Sequence, residues 1–299
     1  MKIAIIDLGT NTFHLLIAAV RFGEPFIIYK TNVPVRLGED ITKENSIIPL
    51  AFNRGISCLQ EFRKTIDFYK IKTIKAVATS GVRSARNGND FVTAAKEVAG
   101  IAIDIIDGDE EATYIYEGVK WSGAITQSSL IMDIGGGSTE FILCDQENVI
   151  WKKSYNIGAA RLMQSFFKSD PISLKDQLAI IAHLDAQLTE LITLCQIHKP
   201  KTLIGSAGAF ETFDTMINPK LENYTATIDY NAYQELSSKL INANHLQRAN
   251  MDGLIPLRVD MIVMAALLTN YVLTKLNIKE ITLSTFDLKM GVLAKSVEH

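Results

Sequence analysis

IMDIGGGSTEFIL, residues 131–143, reads as a buried strand, three consecutive glycines, a Ser-Thr pair and a second apolar run opened by Glu140. Bare backbone between Asp133 and Glu140 has two possible uses. It is a Gly-rich hairpin turn, or it clears Cβ atoms away so that backbone N–H groups can close on a compact anion such as phosphate. The stretch IAIIDLGTNTFHLLIA at 3–18 repeats the device. Laid over SLIMDIGGGSTEFILC at 129–144, Asp7 meets Asp133, Gly9 meets Gly135 and Thr12 meets Ser138. Strand, Asp-x-Gly, small polar turn, strand opens each half of the chain. That points to an internal duplication and favours the phosphate use.

The patterns after each copy agree. In the first half, strands are expected near 3–8, 13–20 and 25–31, and a helix over 50–69, where Ile56, Leu59, Phe62 and Ile66 keep helical spacing. Strand TIKAVAT, helix 89–99, strand IAIDII and helix 109–119 follow. In the second half, strands are expected at 129–134, 139–145, 148–155, 202–205 and 281–284, with helices at 174–195, near 231–242, at 258–276 and at 286–297. This is the same order with an insertion between about 207 and 257. The expected domains are 1–124 and 125–285, with the last helix, 286–299, returning to the first.

The chain has 299 residues, 47% hydrophobic and 21% charged, with a net charge of −3. The acidic excess lies in the second half, and neither half has the basic surplus of a nucleic-acid binder. An anionic ligand must therefore be held by a small local site. Cys58, Cys144 and Cys195 are scattered, without zinc or disulfide spacing, as in a reducing compartment. The apolar stretch before Asp7 is too short for a signal peptide and MIVMAALL at 261–268 is too short for a membrane span. The expectation is a cytoplasmic chain with no membrane span.

In the turns, Gly9, Thr10, Asn11 and Thr12 in the first copy, and Gly135, Gly136, Gly137 and Ser138 in the second, can offer backbone and hydroxyl donors to phosphate. Neither is a Walker loop, and a dinucleotide fingerprint fails at Glu140. GSAGAFET at 205–212, with Gly205 and Gly208, leaves a strand and enters a helix, a place that suits an anion. Asp7 and Asp133 end buried strands, where a carboxylate needs a partner. That partner is Mg²⁺ or its bound water, or the backbone of an Asx turn. Asp107, Asp109, Glu110 and Glu111 crowd a helix start, as capping would require. Arg83 and Arg86, just beyond a strand end, grip phosphate or sit on the surface.

Taken together, IDLGTNTFHLLIA (6–18), RLGEDI (36–41), ATSGVRSARN (78–87), GDEEA (108–112), MDIGGGSTEF (132–141), IGAARL (157–162), GSAGAFET (205–212), LRVDMIVMAALL (257–268) and LKMGVL (288–293) resemble the exopolyphosphatase / guanosine pentaphosphate phosphohydrolase (Ppx/GppA) family. The resemblance covers essentially the whole chain. It implies an α/β fold of two RNase H-like domains of the actin-like ATPase superfamily, with a cleft between them. It implies Mg²⁺-dependent hydrolysis of terminal phosphoanhydride bonds, on inorganic polyphosphate or alternatively guanosine pentaphosphate, and a homodimer. Glu111 matches the catalytic carboxylate that deprotonates water, Arg83 the phosphate-neutralising arginine, and Asp133 and Glu140 the metal-side carboxylates. Gly135 through Ser138 match the phosphate loop. Three segments depart from the family pattern: Ala209 stands where Thr follows the loop glycine, Ala265 for a glycine, and Lys289-Met290-Gly291 for Arg-Glu-Gly. A kinase on the same superfamily fold, or a nucleotide sensor without turnover, are the competing classes.

Overall fold

The computed structural model describes residues 2–206, 208–218 and 223–297. The chain forms two compact units. One runs to Gly118 and adds the helix Leu288–Val297; the other runs from Val119 to Asp287. The division falls inside the helix Gly108–Trp121, which runs on past Gly118.

In the first unit, β1 (Lys2–Leu8), β2 (Thr12–Arg21) and β3 (Glu24–Pro34) form an antiparallel meander. Strand β4 (Thr73–Ala78) lies parallel to β1, and β5 (Asp104–Ile105) parallel to β4, giving the order β3-β2-β1-β4-β5. Ile3 through Ile6 are buried on both faces of β1, as a central strand requires. The helices Pro49–Phe68 and Gly88–Ala99 bring Leu59, Phe62 and Ile66, with Phe91 and Ala95, into the same core. Gly55 permits this closeness, since a Cβ there would lie 2.7 Å from the Phe91 ring. The helix Leu288–Val297 packs as closely: a Cβ on Gly291 would meet the Tyr114 carbonyl at 1.7 Å.

In the second unit, β6 (Ser129–Ile134), β7 (Thr139–Cys144) and β8 (Val149–Tyr155) repeat the meander, and β9 (Thr202–Ser206) pairs parallel with β6. Strand β10 (Thr225–Ile228) forms an antiparallel edge on β11 (Glu280–Ser284), which lies parallel to β9. The order is β10-β11-β9-β6-β7-β8. Without β10, this is the order of the first sheet, and each is the RNase H-like arrangement. The duplication reaches the irregularities. Register slips between Ile17 and Ala18, and between Leu143 and Cys144, which are aligned positions of the two copies. The same bulge bends both meanders.

Several expectations change. The helix expected over 174–195 is two helices, Leu174–Gln187 and Thr189–His198, bent by 69°. Leu188 is buried at the break, and the Thr189 hydroxyl donates to the Asp185 carbonyl at 3.0 Å, a side-chain bond that bends helices. The helix Ala159–Phe166 and strand β10 add to the expected elements, and strand pairing in 101–106 is confined to Asp104–Ile105. Expectations for Ala207 and for 298–299 lie outside the described residues. Among the described residues, no single helix is long and apolar enough to cross a membrane.

Candidate active site

In the first unit the turn after β1 is closed by the Gly9 N–H donating to the Thr12 carbonyl at 3.1 Å. A Cβ on Gly9 would sit 2.9 Å from that carbonyl, so only glycine fits. The Asn11 carbonyl accepts from Val35 and Arg36, at 2.9 and 2.7 Å, and the Thr10 carbonyl from Gly38 at 2.8 Å. A trans peptide places its C=O and N–H on opposite sides. With those carbonyls held by 35–38, the N–H groups of Asn11 and Thr12 face the other way. The Thr10 side chain is buried. A Cβ on Gly38 would meet its Cγ2 at 2.2 Å, and one on Gly81 its Cα at 2.8 Å. Thr10 therefore packs the GTNT, RLG and SGVR segments together, and what it can offer a ligand is backbone.

Arg83 and Glu111 meet. Arg83 ends the short helix Ser80–Arg83 after β4, and Glu111 lies in the first turn of Gly108–Trp121, after β5. Arg83 Nη1 donates to Glu111 Oε2 at 2.8 Å and to the Ile106 carbonyl at 2.9 Å. The side chains are 23% and 8% exposed. Asp107 caps this helix, its Oδ1 accepting from the N–H of Asp109 at 2.9 Å and Glu110 at 2.8 Å. With the cap supplied by Asp107, the Glu111 carboxylate serves the Arg83 pair, so Asp109 and Glu110 need not cap as expected. Asp7 faces His14 across the β1–β2 pair, and Lys289 Nζ lies 3.9 Å from its Oδ2.

The second unit builds the same turn with different supports. A Cβ on Gly135 would meet the Ser138 carbonyl at 3.0 Å, the counterpart of Gly9 and Thr12. The carbonyls of Gly135, Gly136 and Gly137 accept from the N–H groups of Ala159, Ala160 and Arg161, and Gly158, at 2.9–3.3 Å. The start of the helix Ala159–Phe166 thus binds the back of the loop and turns the N–H groups of Gly136, Gly137 and Ser138 to the opposite side. A Cβ on Gly158 would come within 2.5 Å of Gly136 backbone, which explains the glycine in IGAARL. Arg161 Nε also donates to the Gly137 carbonyl at 3.1 Å, and burial lowers its pKa.

Asp133 and Glu140 are directly opposed in the β6–β7 pair, so they share a sheet face. Asp133 Oδ2 accepts from Ser206 Oγ at 2.9 Å and Glu140 Oε1 from Ser154 Oγ at 2.6 Å. Gly208, at φ 51°, opens the helix Gly208–Ile217, and a Cβ there would lie 3.8 Å from Arg258 Nη1. Burial lowers the Arg258 pKa, while Glu211 and Asp133 pull against that shift. Gly205 has a packing reason: a Cβ would penetrate the Phe210 ring at 1.9 Å. Arg161 and Arg258 are the cations that sequence reasoning passed over. Both lie in segments that carried the resemblance, IGAARL and LRVDMIV, yet far along the chain from the loops they meet.

The model of the Ppx/GppA phosphatase family matches residues 16–299. A bifunctional 3-dehydroquinate synthase/phosphatase of Fusobacterium nucleatum is 32% identical over 99% of this chain and 46% of its own length. A guanosine-5'-triphosphate,3'-diphosphate pyrophosphatase of Aeromonas salmonicida is 28% identical over 97% of this chain and 58% of its own. The chain thus spans about half the length of these curated relatives. The solved exopolyphosphatase of Cytophaga hutchinsonii superposes with a TM-score of 0.95 at 33% identity, covering 100% of this chain and 98% of that one. An Aquifex aeolicus Ppx/GppA enzyme, 23% identical over 99% of both chains with a TM-score of 0.81, shares the fold. With the RNase H-like order in both sheets, this is the α/β fold of the actin-like ATPase superfamily, and the chain belongs to the Ppx/GppA phosphatase family.

Proposed function

We propose that the chain hydrolyses the terminal phosphoanhydride bond of inorganic polyphosphate and releases orthophosphate. The observation that carries this reading is the pairing of a buried carboxylate, Glu111, with a half-buried Arg83 beyond the ends of β4 and β5. Glu111 takes a proton from water as the water oxygen bonds to the terminal phosphorus. The bond to the bridging oxygen breaks, and the shortened chain leaves as the anion. Arg83 offsets charge on the phosphoryl oxygens and keeps Glu111 oriented. In the second unit, the loop N–H groups and Arg258 offer donors to phosphate, and Arg161 braces the loop from behind at the Gly137 carbonyl. In such reactions positioning and charge neutralisation supply most of the catalysis.

Among the described residues, no group of three or more His, Cys, Asp and Glu forms a metal cluster. Mg²⁺ does not need one, since it binds through one or two carboxylates and keeps its waters and substrate phosphates as other ligands. Asp133 and Glu140 share a face and offer hard oxygen donors, so they fit and would hold the ion. Asp7, which already has Lys289 beside it, is left out of this set. When bound, the ion neutralises phosphate charge. The likeness to the Aeromonas salmonicida enzyme favours guanosine pentaphosphate as the second reading.

The test is orthophosphate release with Mg²⁺ from long and short polyphosphate, guanosine pentaphosphate and ATP, side by side, with Asp133→Asn as a control. Release from polyphosphate that is abolished by chelator and needs far more Mg²⁺ in Asp133→Asn supports the reading. A higher kcat/KM on guanosine pentaphosphate moves it to the second substrate. Turnover that ignores chelator removes the metal assignment.

A further inference from the structure

We propose that Arg248 is a positioning residue for Arg258, holding the backbone of the 256–260 turn so that the Arg258 side chain is delivered to the Gly208 turn. Arg248 lies in the short helix His245–Ala249 and is the largest fully buried side chain among the described residues. Its Nε donates to the carbonyl of Val259, the residue after Arg258, at 2.7 Å. Its Nη1 donates to Asp170 Oδ1 at 2.9 Å and to the Ala243 carbonyl. Its Nη2 lies 3.5 Å from Asp260 Oδ1. The carboxylates are tied in turn. Asp170 Oδ2 accepts from the His245 N–H at 2.6 Å, and Asp260 Oδ1 shares a hydrogen bond with His245 Nδ1 at 2.6 Å. One guanidinium thus joins three separate segments, at 170, 243–245 and 259–260.

A buried guanidinium paired with part-exposed carboxylates is a poor source of net stability, because desolvation of Arg248 offsets the attraction. What it does well is fix one arrangement among many, and here that arrangement has a visible product. Within LRVD, Asp260 is bound into the Arg248 cluster, Val259 is buried, and Arg258 reaches the Gly208 turn and the field of Asp133 and Glu211. Arg258 leads from the three-residue turn Pro256–Arg258, and its N–H donates to the Ile255 carbonyl at 2.9 Å. So short a turn does not hold a long side chain in place by itself. The planar fork of Arg248 suits the task, since lysine cannot satisfy the Val259 carbonyl, the Ala243 carbonyl and Asp170 with one fixed geometry.

The kinetic part of this inference rests on the phosphohydrolase reading, so two measurements are paired. Hydrogen–deuterium exchange of the 254–262 segment is compared in the full chain, Arg248→Lys and Asp260→Asn, without substrate. The expected result is at least tenfold faster exchange in both variants, and unchanged protection overturns the proposal. The second is a double-mutant cycle on kcat/KM for inorganic tripolyphosphate. Arg248→Lys is expected to lose at least tenfold alone and nothing further in the Arg258→Ala background, because no side chain remains to be aimed. Losses that multiply overturn the proposal. If Arg248→Lys does not fold, Asp260→Asn runs the same cycle. If the parent chain releases no phosphate from any substrate, the reading of the function falls, and exchange alone decides for or against the hold of Arg248.

Discussion

Glu111 sits where a carboxylate is both buried and served, with Arg83 Nη1 at 2.8 Å and the Asp107 cap beneath it. Replacing Glu111 with Gln keeps the shape and removes the base. Turnover should fall about 10²–10⁴-fold, while tripolyphosphate affinity measured by calorimetry stays within a few-fold. Equal losses in both would remove Glu111 from the proton-transfer role. Arg83→Ala differs, because it strips a phosphate partner and leaves Glu111 buried without its cation. KM should rise and kcat fall together, and thermal unfolding should show a loss of roughly 3 kcal/mol, the low end for breaking a buried pair. A variant with parental KM, kcat and Tm would show that the pair matters to neither. Each of these two residues was legible in the sequence from its motif. Their ion pair was not, because positions 83 and 111 meet only after β4 and β5 are set side by side.

Among the elements, the two Asp-x-Gly turns show how one device is supported in two ways. In the first copy, residues 35–38 hold the carbonyls; in the second, the start of Ala159–Phe166 holds them. Gly158 stands so close to Gly136 that a Cβ would come within 2.5 Å of its backbone, and backbone there cannot yield without moving the loop. Gly158→Ala should therefore reduce kcat/KM by more than tenfold with far-UV circular dichroism unchanged, and parental kinetics would count against the loop. Gly205 answers to a different cause, the Phe210 ring at 1.9 Å. Gly205→Ala should cost about 1–3 kcal/mol by overpacking, and Phe210→Leu in the same chain should restore part of it in denaturant melts. Lost phosphate affinity without lost stability would instead return Gly205 to the ligand. The glycines were visible as a pattern, but not their reasons, since a glycine that clears space for a ligand and one that clears space for a ring look the same in sequence.

Across the whole molecule, each unit has its own core, and the three thiols are buried, Cys58 in the first unit and Cys144 and Cys195 in the second. Burial pushes all three thiols up to about 12. A raised acid pKa means the native state keeps its proton where the unfolded chain has lost it. The slope of stability with pH is then negative above the unfolded thiol value near 8.5. The stabilising contribution is complete below that pH and is lost progressively toward 12. Tm should be flat in this respect to about pH 8 and fall from there to pH 10.5, and alkylation of the native chain at pH 8 should be negligible but complete in urea. A flat Tm up to pH 10.5 would contradict the burial. From sequence alone came the duplicated strand-turn-strand device, the α/β order it opens and the motifs of the family, because strand period, glycine position and carboxylate placement are local properties of the chain. Only the tertiary structure decided the bend at Leu188, the packing roles of Thr10 and Gly205, the Arg83–Glu111 pair, and the arrival of Arg161 and Arg258 at their loops. The Thr10 packing, the ion pair and the two arginines depend on contacts between residues distant in the chain, and the bend and the Gly205 fit on how the side chains of Thr189 and Phe210 are turned, none of which a local pattern specifies.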